Sequence, residues 1–319
     1  MTNADDLIHF LHPAYDFAAE LSARQAGLRC VQSRSFAEAL PKMAETDILV
    51  VSSLWTSDIL AKAPKLKWVQ SPGAGYDQFD LARLKAAGIK LSHASGLNAN
   101  AVSEHALALI LTFTRQLHLA RDRQRRAEWR GMITLRAQRE SELKGKLLLV
   151  VGLGVIGMRI AQSARWLGMN VVGVRRRPPT PSETQMRIVP PAQLHSVLPE
   201  PDFVVLACPL TPETRNLMGA REFGLMKQSA VFVNISRGAC VDQAALTEAL
   251  ARRAIAGAAL DCFVDEPLPA SAPLWAFENV VITPHSAGER QNHETEVIDL
   301  LLDNLQRLRN GDELRNQVI

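Results

Sequence analysis

Short runs of apolar, often β-branched residues alternate with longer helix-compatible stretches along the whole chain. This alternation is typical of βαβ units that build a parallel sheet. The predicted strands of the first half are Leu7–Leu11, Leu28–Val31, Ile48–Val51, Trp68–Gln70 and Ile89–Ser92. Those of the second half are Lys146–Val151, Asn170–Val174, Phe203–Ala207, Val231–Ile235, Ala258–Leu260 and Val280–Ile282. The pattern therefore predicts an α/β protein with two Rossmann-like or flavodoxin-like domains, each with a parallel sheet.

Two stretches without glycine or proline predict the helices that mark the domain boundary. The first, Ala99 to Arg126, predicts one long helix or two abutting helices, and the second, Glu289 to Arg309, predicts an amphipathic helix that returns to the first domain. A length of 319 residues suits two domains. We expect residues 1–99 with 291–319 to form one domain and residues 100–290 the other, with the active site in the cleft between them.

Composition excludes several classes of protein. Hydrophobic residues make up 47% of the chain and charged residues 22%, with a net charge of +3, which is ordinary for a globular protein and gives no general case for nucleic-acid binding. The four cysteines are far apart in sequence and predict neither a zinc site nor a disulfide framework. No signal peptide or transmembrane run is evident, so we expect a cytoplasmic protein without membrane association.

A glycine-rich turn follows the strand Lys146–Val151. Its sequence, Gly152-Leu-Gly154-Val-Ile-Gly157, is GxGxxG between a predicted strand and a predicted helix. That context distinguishes a dinucleotide fingerprint from a chance glycine turn. In such a turn the first glycine permits the bend, the second lets the pyrophosphate approach and the third allows the helix to lie close to the strand. The second domain is therefore predicted to bind a dinucleotide and the first to bind the substrate.

The end of the next strand bears on the choice of cofactor. NAD-specific sites carry an Asp or Glu about 20 residues after the fingerprint, where it accepts a hydrogen bond from the ribose 2'-hydroxyl. Here Asn170–Val174 runs into Arg175, Arg176 and Arg177. Guanidinium groups match a 2'-phosphate, so the sequence predicts NADP(H) in preference to NAD(H). The alternative is a solvated basic turn beside bound NAD.

Three ionisable residues follow predicted strands of the second domain. They are Arg237, Glu266 and His285, and the carboxyl ends of parallel strands are where ligands bind in open α/β sheets. Reduction of a 2-keto acid by hydride transfer needs a cation for the carboxylate, a proton donor for the carbonyl oxygen and a group that keeps this donor protonated. Arg237, His285 and Glu266 meet these needs in that order.

The chain resembles the D-isomer-specific 2-hydroxyacid dehydrogenase family over essentially its whole length. The motifs occur in the family's order: the Gly152–Gly157 fingerprint, Pro209-Leu-Thr-Pro-Glu-Thr214, Val233-Asn-Ile-Ser-Arg237-Gly, Leu260-Asp-Cys-Phe-Val-Asp-Glu266-Pro-Leu and Thr283-Pro-His285. The catalytic Arg237, Glu266 and His285 all match. The resemblance implies a dehydrogenase that interconverts a 2-keto acid and the D-2-hydroxy acid.

The resemblance also implies two further sets of site residues. The expected cofactor contacts are Gly152, Gly154, Val155, Ile156, Gly157, Arg175, Arg176, Cys208, Pro209, Thr214, Ile235, Ser236, Asp261, His285, Ala287 and Gly288, with Asp261 on the nicotinamide carboxamide. The expected substrate contacts are Leu54, Trp55, Gly73, Ala74 and Gly75, together with Arg237. The glycine-rich loop Ser71–Asp77 would offer backbone N–H groups to the substrate carboxylate. An ordinary strand-to-helix turn and an exposed loop tryptophan are the alternatives for these residues of the first domain.

Departures from the family narrow the expected substrate. Formate dehydrogenases of this superfamily carry Gln where this chain has Glu266, which disfavours formate oxidation. Only 34 residues, 286–319, follow His285, which leaves no room for the regulatory domain of many phosphoglycerate dehydrogenases. A short-form reductase of glyoxylate or hydroxypyruvate type is the nearest analogue. A dinucleotide-sensing interaction protein of corepressor type is the alternative. An S-isomer lactate or malate dehydrogenase is disfavoured, because those enzymes carry the fingerprint near the N-terminus and this chain carries it at Gly152.

The remaining charged residues have simpler interpretations. The basic stretch Leu119 to Gly131 lacks a nucleic-acid-binding motif and favours a solvated helix end. In the family this region belongs to a dimerisation arm, so we expect a homodimer, with Trp129 a candidate to reach the partner's active site. The histidines other than His285 lack metal-ligand spacing, so they are interpreted as structural and no metal is expected. They are His9, His12, His93, His105, His118, His195 and His293.

Overall fold

The computed structural model describes residues 5–177 and 186–319. The chain divides into two compact units, Met1–Asn98 with Glu289–Ile319, and Ala99–Gly288. The Gly- and Pro-free stretches predicted residues 1–99 with 291–319 for the first of these units and residues 100–290 for the second. Each unit is built around its own parallel sheet.

The first unit contains a five-stranded sheet flanked by short helices. All of its strand pairs are parallel, and the strand order is β2-β1-β3-β4-β5. In chain order the elements are β1 (Leu7–Leu11), α1 (Phe17–Arg24), β2 (Cys30–Ser33), α2 (Phe36–Met43), β3 (Thr46–Val51), α3 (Ile59–Lys62), β4 (Trp68–Ser71), α4 (Leu81–Ala86) and β5 (Lys90–His93). Every predicted strand of this half is present, and β2 lies two residues later in the chain than predicted.

Side-chain caps explain where three of these helices begin. Asp16, Ser35 and Asp80 each accept a hydrogen bond from the backbone N–H three residues later, at 3.1, 3.3 and 3.1 Å. Such caps satisfy an amide that has no partner within the helix. The polar residue after each strand or loop therefore fixes the start of α1, α2 and α4.

The second unit contains a seven-stranded sheet. Its strands are all parallel, in the order β12-β11-β10-β9-β6-β7-β8. The elements are α5 (Ala99–Thr114), α6 (Leu117–Arg125), β6 (Leu147–Val151), α7 (Val155–Trp166), β7 (Asn170–Val174), β8 (Arg187–Val189), α8 (Leu194–Val197), β9 (Phe203–Leu206), α9 (Ala220–Leu225), β10 (Val231–Asn234), α10 (Gln243–Ala251), β11 (Gly257–Leu260) and β12 (Val280–Ile282). The sequence pattern did not predict β8, an edge strand of three residues that begins with an exposed arginine.

The predicted helix from Ala99 to Arg126 is two helices. They are separated at Gln116, whose φ of 52° is left-handed and breaks the helix. Helix α5 buries a row of side chains, including Val102, Ala106 and Ile110, whereas α6 buries none. Of the two arrangements left open by the sequence, the abutting pair is the one present.

The last helix, α11 (His293–Asn310), completes the first unit. Val297 and Leu301 are fully buried in one cluster with Ile8 and Trp68 of the sheet. The amide of Asn304 donates to Gln70 Oε1 at 3.4 Å, and its oxygen accepts from the backbone N–H of residue 315 at 2.7 Å. The amphipathic pattern of α11 thus agrees with the contacts that its side chains make. Within the described residues, no helix is both long and apolar enough to cross a membrane.

Candidate active site

Five strands of the second unit end at the same level of the sheet. Val151 of β6 pairs with Leu206 of β9, Leu206 with Asn234 of β10, Asn234 with Leu260 of β11, and Leu260 with Ile282 of β12. Because the strands are parallel, the residues that follow them lie along one edge, where ligands bind in open α/β sheets. The fingerprint, Arg237, Asp261 and His285 all follow this row.

The glycine fingerprint has the geometry that a pyrophosphate requires. Gly152 has a φ of 102°, and a Cβ there would lie 2.6 Å from the backbone N of Cys208. A Cβ on Gly157 would overlap the carbonyl oxygen of Gly152, so α7 approaches the turn as closely as the third glycine allows. A Cβ on Gly154, the residue before α7, would meet nothing within 4 Å. The turn is thus tight on the protein side and open at the N-terminus of α7, which fits an anionic dinucleotide.

The three arginines lie immediately after β7. The backbone N–H of Arg175 donates to Val189 O at 3.1 Å, and its Nε donates to Arg177 O at 2.9 Å. Arg176 is exposed, and its charge acts on Glu213 of the loop that follows β9. The pKa of Glu213 is lowered chiefly by the hydrogen bond from Thr211, with Arg176 contributing less. The basic turn and the Pro209–Thr214 loop therefore lie close enough for their charges to interact.

The hydroxyl group of Thr214 makes hydrogen bonds within its own loop. Its Oγ1 donates to Pro209 O at 2.7 Å and accepts from the backbone N–H of Thr211 at 2.7 Å. These bonds fold the Pro209–Thr214 segment into a compact turn after β9. The side chain of Thr214, which was expected to contact the cofactor, thus stabilises the conformation of this loop.

Asn234, which the sequence analysis did not single out, organises the turn that carries Arg237. Its Oδ1 accepts from Ser236 N at 3.1 Å and Ser236 Oγ at 2.9 Å, and its Nδ2 donates to Arg237 O at 3.1 Å. Asn234 is 1% exposed. A buried amide whose polar atoms are all bonded fixes the backbone around it. The only sequence signal was its place beside Arg237 in the motif.

Glu266 and His285 form the central contact of the site. Glu266 Oε2 lies 2.8 Å from His285 Nδ1, and Glu266 Oε1 accepts from Phe263 N at 2.9 Å. The hydrogen bond with Glu266 raises the pKa of His285 above its usual value, against the opposing effect of burial. Burial acts most strongly on Glu266 and would raise its pKa, but the bonds from His285 and Phe263 outweigh it, so the pKa is lowered. Both shifts favour an imidazolium paired with a carboxylate.

Arg237 belongs to the same group of side chains. Its charge helps to lower the pKa of Glu266 and opposes the rise in the pKa of His285. A Cβ on the next residue, Gly238, would overlap the backbone of Phe263, so the turn after β10 lies directly against the loop that carries Glu266. The structure therefore brings the three predicted catalytic residues together.

Asp261 has contacts that the sequence did not reveal. The residue is 2% exposed. Its Oδ1 accepts from Thr283 Oγ1 at 2.7 Å and Ser286 N at 2.9 Å, and its Oδ2 accepts from Ala287 N at 3.1 Å. These bonds hold the loop after β12, in which His285 has a left-handed φ of 54°. Beside its expected contact with the nicotinamide carboxamide, Asp261 thus anchors the loop that carries His285.

The expected substrate residues lie in the first unit. Ser71 Oγ donates to Gly73 O at 3.3 Å and Gly75 O at 3.0 Å, and His93 Nδ1 lies 2.8 Å from Ala74 O, so the Gly73–Gly75 turn is internally braced. Trp55 is half-buried, and its ring centroid lies 4.9 Å from that of Phe79. Leu54 is also half-buried. The tryptophan is therefore a packed side chain and not a freely exposed one.

The remaining groups are the four cysteines and the histidines other than His285. All four cysteines are free thiols. Within residues 5–177 and 186–319, no cluster of His, Cys, Asp and Glu could hold a metal ion. His9 is an example of a structural histidine, with Thr46 Oγ1 3.1 Å from Nδ1 and Ser33 Oγ 2.9 Å from Nε2.

Comparison with known proteins identifies the class. The family model for the D-isomer specific 2-hydroxyacid dehydrogenase, NAD binding domain, matches residues 107–287. The chain is 32% identical over 283 residues to a D-3-phosphoglycerate dehydrogenase of Methanocaldococcus jannaschii, covering 88% of this chain and 53% of that protein. It is 34% identical over 267 residues to glyoxylate/hydroxypyruvate reductase B of Pectobacterium carotovorum, covering 82% of this chain and 81% of the relative.

A solved structure extends the likeness to both units. The NADPH-dependent glyoxylate/hydroxypyruvate reductase of Sinorhizobium meliloti, in complex with NADP and malonate, has a TM-score of 0.85 and 26% identity, and the match covers 98% of this chain and 97% of that one. The chain belongs to the D-isomer-specific 2-hydroxyacid dehydrogenase family. It is an NAD(P)-dependent dehydrogenase of that family. These relatives give no support to the alternative of a corepressor-type interaction protein.

The Glu266–His285 contact predicts how His285 titrates. Replacing Glu266 with Gln removes the anion that stabilises the imidazolium, so the pKa of His285 should fall. The measurement is an NMR titration of the histidine ring in the wild type and in Glu266→Gln. Asp265→Asn, which removes the neighbouring carboxylate, is the control. A His285 titration unchanged by Glu266→Gln would contradict the pairing.

Proposed function

We propose that this protein reduces a small 2-keto acid of the glyoxylate or hydroxypyruvate type to the D-2-hydroxy acid, with NADPH preferred over NADH. The observation that carries this proposal is the 2.8 Å contact between His285 and Glu266, with Arg237 beside them. The contact supplies a proton donor held in its charged form, which carbonyl reduction requires. The relatives named as glyoxylate and hydroxypyruvate reductases support the choice of substrate class.

The residues divide the chemistry as follows. When bound, the nicotinamide would supply the hydride for the carbonyl carbon. Arg237 pairs with the substrate carboxylate through its guanidinium fork. His285, hydrogen-bonded to Glu266 through Nδ1, gives its Nε2 proton to the carbonyl oxygen. The neutral imidazole that remains keeps its hydrogen on Nδ1 and donates it in a hydrogen bond to Glu266. Reduction thus needs protonated His285, so it proceeds below the pKa of this residue and is lost as the pH rises through it.

The preference for NADPH is supported by the turn after β7. Arg175, Arg176 and Arg177 directly follow Val174, at the place where a ribose-binding acid is usual. An acid at that position would repel a 2'-phosphate, whereas a guanidinium can make two charge-assisted hydrogen bonds to it. The NADP complex of the Sinorhizobium meliloti reductase is consistent with this preference.

For the substrate we infer a site on the Gly73–Gly75 turn and on Leu54 and Trp55. The carbonyl groups of the turn are held by Ser71 and His93, which leaves a fixed backbone whose N–H groups can serve a carboxylate. Trp55, packed on Phe79, offers a rigid apolar wall for a small side chain. A position of the substrate between the two domains remains a prediction.

A homodimer is part of the proposal. Trp129, Met132 and Leu135 follow α6 and are 99%, 97% and 61% exposed, and no side chain of α6 is buried. A cavity of about 660 Å³ beside Trp129 is lined by side chains of α6 and the residues after it. Exposed apolar surface of this kind marks an interaction site, and a second copy of the chain is the occupant we propose. We propose a cytoplasmic location for this dimer, in line with its four free thiols.

Replacing His285 with Ala should abolish most reduction while cofactor binding survives. Loss of a general acid typically costs 10²- to 10⁴-fold in rate, so kcat/KM for the best 2-keto acid should fall by about that factor. The assay is NADPH consumption against a panel of 2-keto acids, with the NADPH dissociation constant measured by fluorescence. His195→Ala, which removes a histidine bonded to Glu222, is the control. If the His285 variant retained wild-type turnover, another residue would be the proton donor.

The wild type should use NADPH with a kcat/KM about 10- to 150-fold above that for NADH. This range corresponds to one hydrogen-bonded charge pair of roughly 1.5 to 3 kcal/mol. Arg175→Asp should reverse the order of the two cofactors, because the new carboxylate repels the 2'-phosphate and can accept a bond from a ribose hydroxyl. A wild type that uses NADH as well as NADPH would show that the arginines are only a solvated turn.

Light scattering should give a mass twice the 35.1 kDa of one chain at micromolar concentration. Replacing Trp129 and Met132 with Ser should lower that mass toward a single chain, since these two side chains are the most exposed apolar groups described. Val264→Ser, an exposed apolar residue elsewhere in the second unit, is the control. A wild-type mass of 35.1 kDa would refute the dimer.

A further inference from the structure

A chain of hydrogen bonds leads from α5 to the loop that carries His285. His105 Nε2 lies 3.0 Å from Thr283 Oγ1, and Thr283 Oγ1 lies 2.7 Å from Asp261 Oδ1. The carboxylate of Asp261 in turn accepts from Ser286 N and Ala287 N at 2.9 and 3.1 Å. His105 is 178 residues from Thr283 in sequence and has no expected role in the reaction.

The proton positions in this chain follow from chemistry. An ionised carboxylate only accepts hydrogen bonds, so Thr283 must give its single hydroxyl proton to Asp261. The oxygen of Thr283 can then only accept from His105, so His105 carries a hydrogen on Nε2. This assignment holds for the neutral and the charged ring. His105 Nε2 also lies 3.7 Å from Asp261 Oδ1, so its N–H dipole or charge faces the carboxylate.

The loop needs this support because of where His285 lies. Its φ of 54° is a conformation that residues other than glycine rarely hold unless their surroundings impose it. The two amides that follow, Ser286 and Ala287, are held by the carboxylate of Asp261, which is almost completely buried. A buried carboxylate keeps a fixed orientation only when its acceptor positions are satisfied. Thr283 and His105 therefore help to fix the carboxylate that fixes the loop.

We propose that His105 is a positioning residue of the dehydrogenase, acting through Thr283 and Asp261 to hold His285 where it donates its proton. This inference rests on the proposed function and adds a residue to it. The competing interpretation is that His105 only ties α5 to the sheet. The two differ in what a variant changes: positioning affects turnover and the order of one loop, whereas a tie between α5 and the sheet affects only global stability.

The first test uses two variants at His105 and two variants at Thr283. His105→Leu and Thr283→Val remove a donor with little change in volume, whereas His105→Gln and Thr283→Ser retain one. We expect the first pair to lower kcat for the best 2-keto acid about tenfold or more, equivalent to about 1.4 kcal/mol, with a smaller change in KM. The conservative pair should restore most of kcat. The double variant His105→Leu with Thr283→Val should lose little beyond either single variant, because both act through one path.

The second test does not depend on activity. Amide hydrogen exchange of residues 283–288 should be faster in His105→Leu and Thr283→Val than in the wild type, with or without NADPH. His195→Leu and Thr247→Val remove a histidine bond and a helix hydroxyl bond elsewhere in the same unit and should leave this loop unchanged. Wild-type exchange of the loop in both His105→Leu and Thr283→Val would overturn the inference, as would wild-type kcat in both.

The outcomes separate this inference from the proposed function. A wild type that reduces no 2-keto acid refutes the proposed function, while hydrogen exchange still reports on the loop. An active wild type with unaffected variants refutes the positioning role alone. Should His105→Leu fail to fold, Thr283→Val against Thr283→Ser decides: the inference requires that only the valine variant lose turnover.

Discussion

The parallel register of the seven-stranded sheet is the constraint on which the site depends. Five strands end in one registered row, so each following residue emerges at the same edge although the segments are spread over more than 130 positions of sequence. A slip of one residue in any strand would turn its side chains to the opposite face. The continuous burial of β9, β10 and β11 opposes such a slip. Apolar burial thus sets the geometry of the polar residues.

Buried polar side chains then convert this row into a site. Asn234 shapes the turn of Arg237, and Asp261 shapes the loop of His285; both are almost completely inaccessible and both are satisfied by backbone groups. Breaking such contacts leaves an unpaired buried group, which is costly, so the loops they hold have few alternative conformations. The side chains of the proposed acid–base pair, His285 and Glu266, remain 43% and 37% exposed. Rigid support beneath accessible groups is what a preorganised proton donor requires.

The first unit follows the same physical scheme with a different result. Its sheet is also parallel and has a buried core, and Val297 and Leu301 of α11 pack in that core. The loops after β3 and β4 offer a braced glycine turn and a packed tryptophan. Such groups suit recognition of a small anion with a short side chain. The proposed chemistry therefore lies in the second unit and the proposed recognition in the first.

The sequence by itself determined the two α/β units, together with the fingerprint and the candidate triad. All eleven predicted strands begin within two residues of their observed starts. These features are local: hydrophobic periodicity, glycine where the backbone needs it, and ionisable residues directly after apolar runs. It missed β8, whose three residues are too few to show a period, and it left the break at Gln116 open because a left-handed residue there has no sequence signature. Only the tertiary structure decided that His105 contacts Thr283 and that Asp261 holds the loop of His285. A hydrogen bond between residues far apart in sequence depends on how the elements pack, and no local pattern encodes it.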